Sequence, residues 1–295
     1  MKKQATILEK DHKRYLFLIP GILTYICIVV IPLAYSIYLS FFAWNGIDIQ
    51  KKYVGFNNYI ELFKTDYAFS TSLTNNIIWI ILSLLIIVPL SISLALLINK
   101  KFKGRTIVRC IIYFPYVLSG ALVGVIWIWV YHYEYGLYNG IVNLIGRLSL
   151  KKAWLSDPNT ALFACFLAEI WRGIGQPMML FLAGLQTVNQ ELVEAAKVDG
   201  ANSFQAFIHV TIPQLRETFI IVIATQVINA LKVYDLIRVM TGGGPANSTE
   251  TLATWMITKS FDFHNLGSGS AIAIIMVLML MVIIIPYVSV VSRDE

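Results

Sequence analysis

Charge is scarce in this chain. Only 14% of its 295 residues are Asp, Glu, Lys or Arg, whereas soluble domains carry about 25%. Hydrophobic residues make up 57% and the mean hydropathy is +0.69. So little polar material cannot cover a globule of this size, which excludes a soluble enzyme, a nucleic-acid binder and a disordered scaffold. Cysteine is also sparse: Cys27, Cys110 and Cys165 each lie within or at the edge of an apolar run. Their odd number and greasy settings give neither a disulfide framework nor a metal site. Phosphate-cradling and hydrolytic strings are missing too. There is no G-x-x-x-x-G-K-[ST], no G-x-S-x-G and no H-E-x-x-H. The four histidines (His12, His132, His209, His264) are scattered over different segments. No catalytic constellation and no cofactor site follow.

What the chain has is apolar length. A spanning helix needs about 20 apolar residues. Six runs satisfy that: 15–44, 77–98, 110–133, 160–184, 218–240 and 266–291. The third ends in Trp127, Trp129, Tyr131 and Tyr133, rings that favour a membrane interface. The first is too long for a signal peptide, and no small-residue cleavage pattern follows it, so it reads as a retained helix.

Six spans put both ends on one side. Lys and Arg number thirteen on the side of the termini and seven on the other, with three inside spans. The bias places both termini in the cytoplasm. Its strongest part is Lys100, Lys101, Lys103, Arg105 and Arg109, with no acid among them. The net charge of +6 thus reflects orientation and anionic headgroups, not nucleic acid.

The loop after the fourth run, 187–213, carries local structure signals throughout. Asn189 is a helix N-cap candidate with Glu191 in the first turn. Leu192, Ala195 and Ala196 recur at helical spacing. Gly200 sits where a helix would end in a left-handed residue. Asn202 or Ser203 can cap a second short helix with Phe204, Phe207 and Ile208 on its apolar face. Pro213 marks that helix's end. Spacing alone leaves two readings open: an amphipathic element lying on the membrane, or a docking knob for a cytoplasmic partner with Phe204 and Phe207 as anchors.

The residues of this loop carry a resemblance. Glu194-Ala-Ala-x-x-Asp-Gly-Ala201, with Phe207 and Thr211-Ile-Pro213 behind it, resembles the EAA loop of ATP-binding-cassette (ABC) importer permeases. Pro20-Gly21, Pro32 and Ser40-Phe-Phe-Ala-Trp44 resemble the first helix of the carbohydrate-uptake branch. Val54-Gly-Phe-Asn-Asn-Tyr59, Phe114-Pro-Tyr116 and Thr241-Gly-Gly-Gly-Pro245 with Thr249 resemble further segments of it. The likeness covers nearly the whole chain and is greatest to the first of two permeases, of maltose, glycerol-phosphate or multiple-sugar type.

The resemblance implies an all-α membrane protein of six transmembrane helices with the type I ABC importer permease fold. It divides the chain into 1–69 (cytoplasmic N-terminus, first helix, external loop), 70–291 (permease core, with the EAA loop at 185–216) and a cytoplasmic tail, 292–295. It implies that Glu194, Ala195, Ala196, Asp199, Gly200, Ala201, Phe204, Phe207 and Pro213 form the coupling element inserted into a separate ATPase. The implied partners are a second homologous permease, two copies of an ABC ATPase, an extracytoplasmic sugar-binding protein and membrane lipid. The implied cargo is a sugar, with oligosaccharides the family's common case. The implied place is a bacterial cytoplasmic membrane. Since this chain has no phosphate loop, the energy comes from another chain.

Charges inside spans are costly and mark internal pairs or a pathway. Glu169 and Arg172 are three apart, as are Lys232, Asp235 and Arg238, so each set shares a helix face. Each is either a self-neutralised set facing the bundle or interface, or a cavity lining. Planar hydrogen-bonding groups and aromatic faces suit a sugar. Glu169, Trp171 and Gln176 on the fourth run, with Gln226, Asn229 and Tyr234 on the fifth, are the expected substrate pathway. The rival function is an ion-coupled secondary transporter working alone, with Asp235 or Glu169 carrying the ion. It leaves the Ala-rich loop around Gly200 without a purpose.

Overall fold

The computed structural model describes residues 17–145 and 152–291. The basic residues of 1–14, His12, Arg147, Lys151 and the tail 292–295, on which part of the orientation argument rests, lie outside the described residues.

Helix dominates, as the long apolar runs predict. In chain order the elements begin with α1 (Ile19–Leu39), the two-residue strands β1 (Phe42–Ala43) and β2 (Lys52–Tyr53), and α2 (Asn57–Lys64). Next come α3 (Tyr67–Asn99), α4 (Arg105–Val117), α5 (Gly120–Val130) and α6 (Leu137–Leu144). Then follow α7 (Ala161–Gly173), α8 (Gly175–Leu185), α9 (Gln190–Val198), α10 (Ser203–Ala206) and α11 (Ile212–Gln214). The chain closes with α12 (Arg216–Leu231), α13 (Asp235–Met240), α14 (Leu252–Ile257) and α15 (Leu266–Val291).

Among the described residues, four helical stretches are long and apolar enough to cross a membrane: α1, α3, α12 with α13, and α15. A fifth is counted if α4 and α5 are one span, bent by 101°. The bend has a local cause. Leu118 and Ser119 are both extended (ψ 144° and 148°), and the Ser119 hydroxyl caps α5 by accepting from Leu122 N–H. The run expected as a fourth span forms two shorter helices, α7 and α8, which meet at Ile174 between Gly173 and Gly175.

Three π-turns share one logic. Ile26–Val30, Ser83–Ile87 and Phe207–Thr211 each immediately precede an Ile-Pro or Val-Pro pair, at Pro32, Pro89 and Pro213. Proline lacks an N–H and crowds the carbonyl four residues back, and a widened turn removes that conflict. This refines the expectation at Pro213. The helical path runs through Pro213 and ends one residue later, at Gln214.

The described chain forms two compact units. One gathers the described part of Met1–Lys64 with Met256–Ile275. In it β1 and β2 pair antiparallel, with Phe42 opposite Tyr53 and Ala43 opposite Lys52. The Asn58 amide donates to Ser40 O and Phe42 O, tying α2 to the end of α1. The other unit, Thr65–Trp255 with Met276 onward, holds the main core. Ile92, Ala95, Met178, Phe181, Leu182, Leu185, Leu215 and Val222 are all buried there. Close backbone approach makes this packing possible. A Cβ on Gly175 would lie 2.9 Å from Ile112 O and Tyr113 Cα. Gly120 and Gly124 on α5 leave room for Asp235, Leu236 and Val239 on α13, a small-x-x-x-small contact.

Candidate functional site

Two regions of the second unit collect the polar residues that a membrane bundle otherwise avoids. The first is a cavity of about 320 Å³ at a break in a helix. Helix α12 ends at Leu231, residues 232–234 are non-helical, and α13 starts at Asp235. Irregular backbone at membrane depth persists only where it is buried or lines a cavity. Here both conditions are met. The Asn76 amide donates to Ala230 O at 2.9 Å, and its oxygen accepts from Leu252 N–H at 2.7 Å. The Thr251 hydroxyl donates to Val233 O. Carbonyls released by the break are thereby paired, as buried polar groups must be.

Tyr116, Arg172, Asn229, Lys232, Tyr234 and Asp235 line this cavity, with Gly120 leaving it open on the α5 side. Glu169 stands behind Arg172. Arg172 Nε and Nη2 donate to its two carboxylate oxygens, both at 2.8 Å. Glu169 is only 7% exposed, so the pair anchors the guanidinium of a residue that lines the cavity.

The expected pathway residues therefore divide. Asn229 and Tyr234 line the cavity, and Glu169 reaches it through Arg172. Gln226 is buried in α12, and Gln176 Oε1 is buried without a hydrogen-bond partner. Trp171 packs edge-on against Trp127 at 6.2 Å and borders a separate apolar groove with Leu94, Ile111 and Pro115. Tyr116, quoted above only within the Phe114-Pro-Tyr116 segment, and Gly120 were not expected in the lining. Pro115 and Ser119, which together announce a helix break, were the local signal for their position.

The second region is the loop between α8 and α12. Asn189 caps α9 by accepting from Glu191 N–H at 2.8 Å. Gly200 has φ +91°, the left-handed residue expected at that helix end. Asn202 and Gln205 form a reciprocal capping box on α10. Asn189 N–H also donates to Gln214 Oε1, which closes the loop on itself. Between the two short helices lies a notch lined by Ala196, Asp199, Gly200, Ala201, Gln205, Ala206, His209 and Val210. Glu194, Ala195 and Asp199 are exposed and Ala196 half-buried. Phe204 is 71% exposed, whereas Phe207 turns inward onto the core around Val188 and Leu215. The expected shared apolar face is thus split: the π-turn beginning at Phe207 directs its ring inward. Pro213 is exposed in α11.

The chain matches known proteins throughout its length. Residues 87–293 fit the family described as binding-protein-dependent transport system inner membrane component. The trehalose/maltose transport system permease protein MalF of Thermococcus litoralis is 32% identical over 280 residues, covering 94% of this chain and 92% of that one. The sulfoquinovosyl glycerol transport system permease protein SmoG of Agrobacterium fabrum is 34% identical over 261 residues, covering 87% and 82%. In fold, the chain resembles a bacterial ABC transporter involved in import of the acidic polysaccharide alginate. The TM-score is 0.83 at 23% identity, with 99% of each chain covered. The helical fold, the capped loop and these likenesses agree, and the chain belongs to the inner-membrane components of binding-protein-dependent transport systems, the permeases of ABC importers.

Proposed function

We propose that this chain is one of two homologous permeases in an ATP-driven importer of oligosaccharides. It crosses the membrane six times, with α4–α5 and α7–α8 as the two broken spans and both termini in the cytoplasm. Residues 70–291 form the permease core, and the segment before 70 adds an anchoring helix and an external loop. The assembly holds two copies of an ABC ATPase, one docked on the 185–216 loop of this chain and the other on the second permease, and an extracytoplasmic sugar-binding protein delivers cargo. The names of the relatives, which include trehalose/maltose and starch-degradation-product systems, support a sugar cargo.

The observation that carries this reading is the architecture of that loop. Its two short helices are capped at each start, turned at Gly200 and closed by the Asn189–Gln214 contact, yet they leave Leu192, Val198 and Phe204 exposed. A rigid knob with bare apolar side chains fits a cleft in a partner. Glu194, Ala195, Ala196, Asp199, Gly200, Ala201 and Phe204 form its contact surface, with Phe207 and Pro213 holding its base.

The mechanism is alternating access. ATP closes the ATPase pair, the knob moves with it, and α12, which follows the loop directly, carries the movement to the cavity at residues 232–235. Asn229 and Tyr234 contact sugar there, and Glu169 holds Arg172 in place. Trp171, Gln176 and Gln226 lie outside that lining. Two global states linked in this way are what coupling requires.

Co-purification tests the proposal. The wild-type chain, expressed with its ATPase, retains it through detergent extraction. Glu194→Ala with Gly200→Val releases it while the permease stays folded. Full retention by that variant overturns the docking assignment.

A further inference from the structure

The external end of α1 carries a hairpin that takes no part in the cycle proposed above. The hairpin of β1 and β2 folds back on the helix from which it emerges. Lys51 Nζ donates to Tyr35 Oη at 2.7 Å. It also sits 4.8 Å from the Tyr35 ring centroid, 5.6 Å from that of Tyr38 and 4.4 Å from that of Trp44. Tyr35 lies one turn inside the end of α1. A cation held in this aromatic cage fixes the hairpin at the level of the helix's last turn.

What surrounds that turn is set by α1 itself. Its mean hydropathy is 2.2, and none of its residues from Ile19 to Tyr38 is buried. A helix apolar on every side and bare on every side is bathed in hydrocarbon. The level of Tyr35 and Tyr38 is therefore the boundary between acyl chains and headgroups, where tyrosine, tryptophan and lysine collect.

The tip, residues 44–50, is built for that boundary. Its polar groups bond to one another. Trp44 Nε1 donates to Asp48 O at 2.8 Å, and the Asn45 amide donates to the Asp48 carboxylate at 2.9 Å. Asn45 Oδ1 accepts from the N–H groups of Ile47 and Asp48. Gly46 has φ +86° and packs against Leu266, so one side of the tip is seated on its own unit. The other side presents Ile47, 75% exposed, and Ile49, fully exposed. Lys52, exposed beside the caged Lys51, is placed for lipid phosphates. Satisfied polar groups, two bare isoleucines, a caged lysine and an exposed one together match an interfacial anchor.

We infer that the 44–52 hairpin lies in the outer leaflet, with Ile47 and Ile49 among the acyl chains just below the headgroups. The occupant of this face is lipid, not a protein. The inference rests on α1 crossing the membrane and is independent of cargo and ATPase.

The test uses the assembled importer in phosphatidylethanolamine/phosphatidylglycerol vesicles. Cys27, Cys110 and Cys165 are replaced, and a nitroxide is attached at Ile49→Cys. Collision rates are measured with oxygen, which concentrates in acyl chains, and with a water-soluble nickel chelate. The expected result is oxygen access exceeding nickel access several-fold, with label mobility unchanged by adding the binding protein. Nickel access exceeding oxygen access overturns the inference in favour of water. A label immobilised by the binding protein, or by the second permease, overturns it in favour of a protein interface. Should the substituted chain fail to assemble, the unsubstituted importer is photolysed with lipids carrying a diazirine near the acyl carbonyl. Adducts mapping to 44–52 support the anchor, and adducts on α1 without any on 44–52 refute it.

Discussion

The Glu169–Arg172 pair can be separated energetically from the cavity that it borders. Glu169→Gln leaves a guanidinium without its carboxylate, and Arg172→Gln leaves a nearly buried carboxylate without its cation. Breaking a fully buried pair costs about 3–5 kcal/mol. The Arg172 side chain is 23% exposed and that of Glu169 9%. Cavity water therefore screens part of the charge, and the expected loss is about 2–3 kcal/mol for each single variant. The double variant removes both charges and keeps two amides able to bond. Its loss should not exceed that of either single variant, which makes the coupling energy at least about 2 kcal/mol in a double-mutant cycle. Unfolding of the purified chain in bicelles by graded SDS, followed by tryptophan fluorescence, supplies the three values. Strict additivity, with coupling below about 0.5 kcal/mol, refutes the claim that the pair anchors Arg172.

Three further outcomes are expected. Gly175→Ala drives a methyl against the backbone of Ile112 and Tyr113. It should cost about 1–3 kcal/mol, seen as a lowered thermal midpoint. Asn76→Ala strips partners from Ala230 O and Leu252 N. A loss of about 1–3 kcal/mol follows, together with faster hydrogen exchange at Leu252. Asn229→Ala alters an exposed side chain on the cavity wall. Stability should stay within about 0.5 kcal/mol of wild type while sugar uptake falls and ATPase retention is unchanged.

Much of the architecture was legible because its signals are local. Apolar run lengths marked the membrane helices, and side-chain capping at Asn189 and Asn202 with glycine at 200 marked the loop's two helices. The Glu169–Arg172 pair followed from spacing, since α7 is regular there. Spacing failed where the helix itself fails. Lys232, Asp235 and Arg238 share a face only on an unbroken helix, and residues 232–234 are not helical. The break is held by Asn76 and Thr251, residues distant in sequence, so no local pattern announces it. Phe204 and Phe207 illustrate the same limit. Their spacing is that of one face, but packing against the core cluster that includes Val188 and Leu215 half-buries only Phe207.

The central claim is that this chain transports only when an ATPase works on its 185–216 loop. Proteoliposomes carrying the two permeases, with ATPase and ATP on the loop side and loaded binding protein on the other, measure it directly. Uptake of labelled sugar should require both ATPase and ATP, and should collapse when Gly200→Val is introduced. Uptake driven by a proton or sodium gradient, with the ATPase absent, would contradict the account and favour a carrier working alone.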